Sequence, residues 1–236
     1  MSPPRVLAVI PTYNERENIE PLVRALFGLG IPGFGALVVD DESPDGTSAA
    51  VEKLVPEFPG LELLRRRGPA GRGLAGRDGF VRALEKGARY IIEMDGDFSH
   101  QPKDVPRLLA AMDRCDVAVG SRLAAGGADK DRPAWRRIVT RWANLYARLM
   151  LGLPVRDANS GFRCFNREAM EAIDPATLKS RGPSIVHEAL YRCVRKGLRI
   201  EEVPIDFIDR KKGKSKLNLR RLAAGYFWIL RLRLGI

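Results

Sequence analysis

The stretch Tyr90-Ile-Ile-Glu-Met-Asp-Gly-Asp-Phe-Ser-His100 decides how this chain is to be read. A short apolar run ends abruptly in two carboxylates separated by a glycine, the pattern of a buried strand that delivers polar groups at its carboxyl end. Asp95 and Asp97 are hard oxygen donors, and Gly96 lets the backbone approach a ligand. That set suits Mg²⁺ or Mn²⁺ holding a diphosphate. Alone, such a triplet is commonly a turn with solvated carboxylates; its place directly after a strand favours the metal.

Working upstream, residues 5–11 and 35–41 are short β-rich runs, and residues 17–27 between them carry apolar side chains at helical spacing, a βαβ opening. A second helix follows Asp45-Gly-Thr47 and runs to Pro56, and residues 61–64 read as a strand. Residues 68–79 hold five glycines among basic residues and read as a loop leading into a helix over 80–87. Strands alternating with helices predict a largely parallel sheet. In such sheets ligands lie beyond the strand carboxyl ends. Three strand ends are polar there: Pro11-Thr-Tyr-Asn-Glu15, Asp40-Asp-Glu-Ser-Pro-Asp-Gly-Thr47 and Asp95-Gly-Asp-Phe-Ser-His100. The Asp40-Asp41 pair reads either as an ordinary turn or as a carboxylate site for a nucleoside's ribose or base.

Downstream, residues 117–120 form a short strand ending at Ser121-Arg122, and residues 124–132 read as a glycine-rich, charged loop of lid-like length. Residues 136–153 are helical in pattern, with Trp142, Leu145, Tyr146, Leu149 and Met150 on one side and arginines on the other. Residues 200–208 read as a late strand. Gly28-Leu-Gly-Ile-Pro-Gly33 fits a dinucleotide-binding spacing, yet it follows a helix and precedes a strand, the reverse of what that motif needs.

With 236 residues, 45% hydrophobic and 29% charged, the chain can bury a core and is too balanced for disorder. Cys115, Cys164 and Cys193 are odd in number and form no metal or disulfide pattern, which fits a reducing cytoplasmic compartment. The opening residues do not resemble a signal peptide. The longest apolar run of the tail, residues 222–230, stops at Arg231, too short to span a bilayer. The net charge is +11, and the nine positive charges beyond Asp209 meet no acidic residue. Such a tail suits phosphates, whether on a lipid surface or on nucleic acid. No nucleic-acid-binding signature accompanies the Trp142, Tyr146, Tyr226, Phe227 and Trp228 aromatics, and a nucleic-acid partner leaves Asp41, Asp95 and Asp97 without a purpose.

The three strand-end motifs, followed by Asn159-Ser-Gly-Phe-Arg163 in the same order, resemble family 2 glycosyltransferases. Val203-Pro-Ile-Asp-Phe-Ile-Asp-Arg-Lys-Lys-Gly-Lys-Ser-Lys-Leu217 is similar to the C-terminal strand and basic loop of that family's dolichol-phosphate mannose synthase branch, so the resemblance covers roughly residues 5–217. It implies an α/β fold: a single GT-A-type nucleotide-sugar-binding domain with a mostly parallel central sheet flanked by helices. The domain is expected over 1–209, with a basic loop and amphipathic membrane-surface segment over 210–236. The resemblance also implies that Pro11, Tyr13, Glu15, Val39 and Asp41 hold the guanosine part of GDP-mannose. By the same likeness, Asp95, Gly96 and Asp97 meet metal and diphosphate, Ser99 completes the metal shell, and Arg122, Arg210 and Lys216 pair with phosphate oxygens. Asp95, Asp97, Arg122 and Arg210 are the catalytic candidates.

The implied reaction is inverting transfer of mannose to dolichyl or polyprenyl phosphate at the cytoplasmic face of a membrane. Some relatives use small membrane-embedded partner subunits. A polyprenyl phosphate is already anionic at neutral pH, so the reaction needs no dedicated general base. It needs neutralised charge on the departing diphosphate and an aligned acceptor, for whose phosphate Arg122, Lys130, Arg132, Arg136 and Arg137 are candidates. The chain departs from the family pattern at Gly96, at Ser99 and at His187-Glu188. Two rivals remain open at this level: a UDP-sugar donor on the same fold, and a non-catalytic basic protein that binds nucleic acid.

Overall fold

The computed structural model describes residues 5–130, 133–208 and 219–234. Its strands are β1 (Val6–Thr12), β2 (Phe34–Asp40), β3 (Leu61–Arg65), β4 (Tyr90–Glu93), β5 (Val117–Ser121), β6 (Ala128–Lys130), β7 (Arg163–Asn166), β8 (Ile200–Pro204) and β9 (Asp206–Ile208). Its helices are α1 (Arg16–Phe27), α2 (Thr47–Leu54), α3 (Arg72–Glu85), α4 (Val105–Ala111), α5 (Ala134–Leu151), α6 (Arg167–Ile173), α7 (Ile185–Arg195) and α8 (Leu219–Leu234).

Seven strands form one sheet in the order β3-β2-β1-β4-β7-β5-β8, parallel except for β7, which runs antiparallel to β4 and β5. The central strands are apolar on both faces because helices cover both. Leu7, Val9, Leu37 and Val39 point to a layer made by α3, α5, α6, α7 and α8. Val6, Ala8, Ile10, Ala36 and Val38 point to α1, α2 and α4. Burial on both sides fixes the register, and the register aligns the strand ends: Pro11 pairs with Val39, Thr12 with Asp40, and Val9 with Glu93.

The expected α/β sheet is present, and four local expectations need correction. Helix α3 begins at Arg72, so glycines read as a loop lie inside a helix. They are there for close packing: a Cβ on Gly73 would collide with the Ser180 carbonyl, and one on Gly79 with Val9. Tertiary contact here outweighs helix propensity. The lid-like loop contains β6, which pairs in parallel with β9 in a separate small sheet. The single late strand is two, because the chain leaves the main sheet after Pro204 and, past Ile205, Asp206–Ile208 pairs with β6. The fourth is β7, an antiparallel strand over residues where the apolar pattern predicted none. It follows directly on the Asn159-Ser-Gly-Phe motif and carries Arg163, whose opposite neighbour is Glu93.

Helix α8 joins the body of the protein through Ile229, which is buried in the same core cluster as α5 and α7. Tyr146 of α5 donates its hydroxyl hydrogen to the Tyr226 carbonyl at 3.2 Å, and the two rings meet edge to face. The expected boundary at residues 209 and 210, with Arg210 and Lys216, lies outside the described residues, as do Arg132 and the Lys130 side chain.

Candidate active site

The site forms where β2, β1 and β4 end side by side, and its loops are cross-linked before any ligand is considered. Asp40 is buried and accepts hydrogen bonds from the Ser43 hydroxyl (2.5 Å), the Ser48 hydroxyl (2.6 Å), the Ser43 amide (3.1 Å) and the Thr12 hydroxyl (3.3 Å). That carboxylate is a tether for the turn after β2. Asp45 accepts from the Thr47 hydroxyl and amide and from the Arg16 amide, while the Glu15 amide donates to Thr47 Oγ1 at 3.0 Å. Burial alone would raise the Asp45 carboxyl, but these donors outweigh it and hold it below its ordinary value. The loops carrying Tyr13, Glu15 and Asp41 are thereby zipped together.

Asp41 faces the other way. Arg66 donates to its Oδ1, the Gly71 amide donates to its Oδ2 at 2.5 Å, and Arg66 is itself bridged to Asp78 at 2.7 Å. This network ties the end of β2 to the start of α3. Tyr13 is exposed beside it.

At the end of β4, Asp97 accepts from the Ser99 hydroxyl at 2.6 Å and the Ser99 amide at 3.1 Å. As the chain stands, Ser99 orients Asp97. Gly96 is required by close approach, since a Cβ would lie 2.9 Å from Thr12 Cγ2. His100 is buried, stacked on Phe162, and its Nδ1 accepts the Asp95 amide hydrogen at 3.1 Å. Burial pushes its pKa down against the pull of Asp95 and Asp97, which agrees with a neutral ring carrying its proton on Nε2. Arg72, singled out by nothing in the sequence pattern, donates to Asp95 Oδ1 at 2.8 Å and to Glu93 Oε1 at 3.0 Å.

Arg122 is brought to the same end of the sheet, where both arms of its guanidinium fork meet Asp157, at 2.8 and 3.1 Å, and its plane lies over Phe207. Asp157 was not singled out by the sequence reading either, because a lone aspartate in a loop carries no pattern. It is completely buried and is supported by Asn144 from α5. Glu188 is also a tether: it accepts from the Lys179 and Ser180 amides and pairs with Arg192, holding the loop that lies over α3. His187 Nε2 lies 3.0 Å from Asn159 Oδ1, to which it donates when the ring proton is on Nε2. Among the described residues, no three His, Cys, Asp or Glu side chains gather as a ready-made metal cage.

A mostly parallel sheet with carboxylates converging at the ends of three adjacent strands defines a nucleotide-sugar-binding glycosyltransferase fold of the GT-A type. The chain belongs to glycosyl transferase family 2, whose match spans residues 7–174. It is 38% identical to undecaprenyl-phosphate mannosyltransferase of Micrococcus luteus, over 98% of this chain and 100% of that protein. It is 39% identical to polyprenol monophosphomannose synthase of Mycolicibacterium smegmatis, over 98% of this chain and 89% of that one. Against dolichol-phosphate mannosyltransferase of Pyrococcus furiosus the identity is 34%, over 90% of this chain and 59% of that longer protein. Among solved structures, glucosyl-3-phosphoglycerate synthase from Mycobacterium tuberculosis in complex with Mn²⁺, uridine-diphosphate and glucosyl-3-phosphoglycerate superposes with a TM-score of 0.70. That pair shares 19% identity over 99% of this chain and 81% of that one, a likeness of fold.

Proposed function

We propose that this glycosyltransferase moves mannose from GDP-mannose to a polyprenyl phosphate of the dolichyl type, with inversion at the sugar carbon, at the cytoplasmic face of a membrane. The observation that carries the reading is the pairing of two neighbouring features: strand-end carboxylates for a nucleoside diphosphate, and beside them an exposed apolar helix face for a lipid. Relatives at 34–39% identity whose names all specify a mannosyl transfer or a phosphomannose synthesis support the choice of sugar.

On this reading Pro11, Tyr13, Glu15, Val39 and Asp41 contact the guanosine, with Asp41 held in place by Arg66 and the Gly71 amide. Asp95 and Asp97 fit a divalent cation by their chemistry, two hard oxygen donors flanking a glycine whose added Cβ would press against Thr12. Two carboxylates leave most of an octahedral shell to the donor's diphosphate and water, so Mg²⁺ and Mn²⁺ both suit the site. When bound, the cation supplies charge neutralisation for the leaving diphosphate. Ser99 keeps Asp97 aimed, and His100 fixes the backbone at Asp95. Arg122, clamped by Asp157, presents a pre-oriented cation to a phosphate, a role shared with Arg210 and Lys216.

The lipid side rests on α5. Trp135, Ile138, Trp142, Leu145 and Leu149 recur at alternating spacings of three and four, and all are exposed. Phe227 and Leu234 of α8 are exposed as well. A cavity of about 440 Å³ beside this stripe is lined by Arg122, Arg141, Arg148 and Arg156. Apolar side chains edged by arginines are the signature of a helix lying in a membrane interface. Among the described residues no helix is long and apolar enough to cross a membrane. The three cysteines are free and buried, as suits a reducing compartment, and membrane-embedded partner subunits would meet the same face.

The test is transfer of radiolabelled mannose from GDP-mannose to dolichyl phosphate, with and without Mg²⁺ or Mn²⁺, in wild type and Asp97→Ala. Metal-dependent product that falls at least about 100-fold in the variant is the expected result. Product formed from a UDP-sugar instead of GDP-mannose would overturn the donor assignment.

A further inference from the structure

Arg72 has no part in the function described so far, yet its guanidinium hydrogen-bonds directly to the site's central carboxylate. It opens α3, and its Nη2 and Nε lie 2.8 and 3.2 Å from Asp95 Oδ1. Its Nη1 lies 3.0 Å from Glu93, a carboxylate that is completely buried. Gly161 passes so close that a Cβ there would be 2.7 Å from Arg72 Nη2. The guanidinium is thus gripped by two carboxylates and a backbone, while its side chain keeps 22% exposure toward the open end of the sheet. Burial would weaken its charge, but Asp95 and Glu93 together hold its pKa above the ordinary arginine value.

A divalent cation bound at Asp95 has to share that carboxylate with a fixed positive charge. Like charges about 5 Å apart oppose each other even when screened as in water, so the metal site of the empty protein is weakened. A nucleoside diphosphate changes the balance, because its oxygens offer Arg72 a second anionic partner and supply ligands that the metal lacks. We propose that Arg72 is a resident counter-cation of Asp95 that keeps metal affinity low until a nucleoside diphosphate arrives, so that metal uptake is coupled to donor binding. The inference rests on the reading of Asp95 and Asp97 as metal ligands.

The test is Mn²⁺ binding to the full chain, followed by the electron paramagnetic resonance signal of free Mn²⁺, with and without GDP. Wild type is expected to bind Mn²⁺ weakly alone and more tightly with GDP. Arg72→Leu is expected to bind Mn²⁺ alone roughly tenfold more tightly than wild type and to gain less from GDP, while Arg72→Lys stays near wild type. Because Arg72→Leu leaves Glu93 buried without its cation, Arg72→Leu/Glu93→Gln removes the pair as a unit and is measured beside it. Unchanged or weaker Mn²⁺ binding in both variants overturns the inference and leaves the metal reading intact. Absence of Mn²⁺ binding in wild type with GDP or UDP, identical to Asp97→Ala, overturns the metal reading and the inference together.

Discussion

Along the strand-end edge, Asp40, Asp45 and Asp97 each accept two or more hydrogen bonds from nearby hydroxyls and amides. Along the outer face of α5, Trp142 and Leu149 stand 67% and 72% exposed. One region holds these carboxylates by internal hydrogen bonds before substrate arrives. The other exposes apolar side chains to solvent, a cost that burial against an apolar partner surface removes. The two regions adjoin where Arg122, just past β5, and Leu145 of α5 line one cavity. On the proposed reading, a water-soluble donor and a lipid acceptor call for that division: preorganised dipoles for the developing charge, and an apolar face turned to the acceptor's phase.

Asp40 carries the largest expected effect. Asp40→Ala removes an acceptor that four donors share, and leaves the Ser43 amide and three hydroxyls in a partly buried turn without it. The expected loss is about 3 kcal/mol of stability, seen as a fall of roughly 6–12 °C in Tm for a chain of this size. An unchanged Tm in a thermal scan would mean that the turn is held by other contacts and that the edge is not internally braced.

At the opposite region the same size of change should leave the fold untouched. Trp142→Ser deletes an indole that touches mostly solvent, so Tm is expected to move by less than about 1 °C. Binding to vesicles containing anionic phospholipid is expected to weaken roughly tenfold, measured by co-sedimentation. If vesicle binding stays the same while the protein remains folded, α5 is not the membrane-facing element.

Much of this division was legible in the sequence. The strand ends announced themselves because a parallel sheet buried on both faces leaves polar residues few other places to go, a pattern that β1 and β2 carry in unbroken runs and that only Glu93 interrupts in β4. The α5 stripe was legible as a period, although nothing in a period says whether an apolar face looks in or out. In the structure Asn144, Ala147 and Leu151 face inward instead. What stayed hidden was whatever depends on partners distant in sequence. Arg72 and Asp157 are single charged residues with no motif, and they acquire meaning only when folding sets them against Asp95 and Arg122. The glycines of α3 pointed to a loop by propensity, and only the loop over residues 178–182 and the side chain of Val9 explain why small residues sit in a helix.

The smallest expected effect sharpens the comparison from inside the protein, at a residue that belongs to neither edge nor stripe. His187 opens the buried face of α7 beneath the Asn159 loop; its Nε2 meets Asn159, and its Nδ1 is buried without a partner. Burial, aided by the nearby Arg163 guanidinium, pushes its pKa down from 6.5 to about 3. The unfolded chain therefore takes up a proton on this ring below pH 6.5 while the native ring stays neutral, so the stability it contributes is complete above that pH and is lost as the pH falls toward 3. Between pH 6.5 and 5.5 the loss attributable to this one group is about 1 kcal/mol. His187→Gln keeps a donor for Asn159 and cannot take up the proton, so its urea midpoint is expected to fall less steeply than the wild type's across that interval. Parallel curves would show that the ring protonates in the native state, and would place water or a carboxylate within reach of its Nδ1.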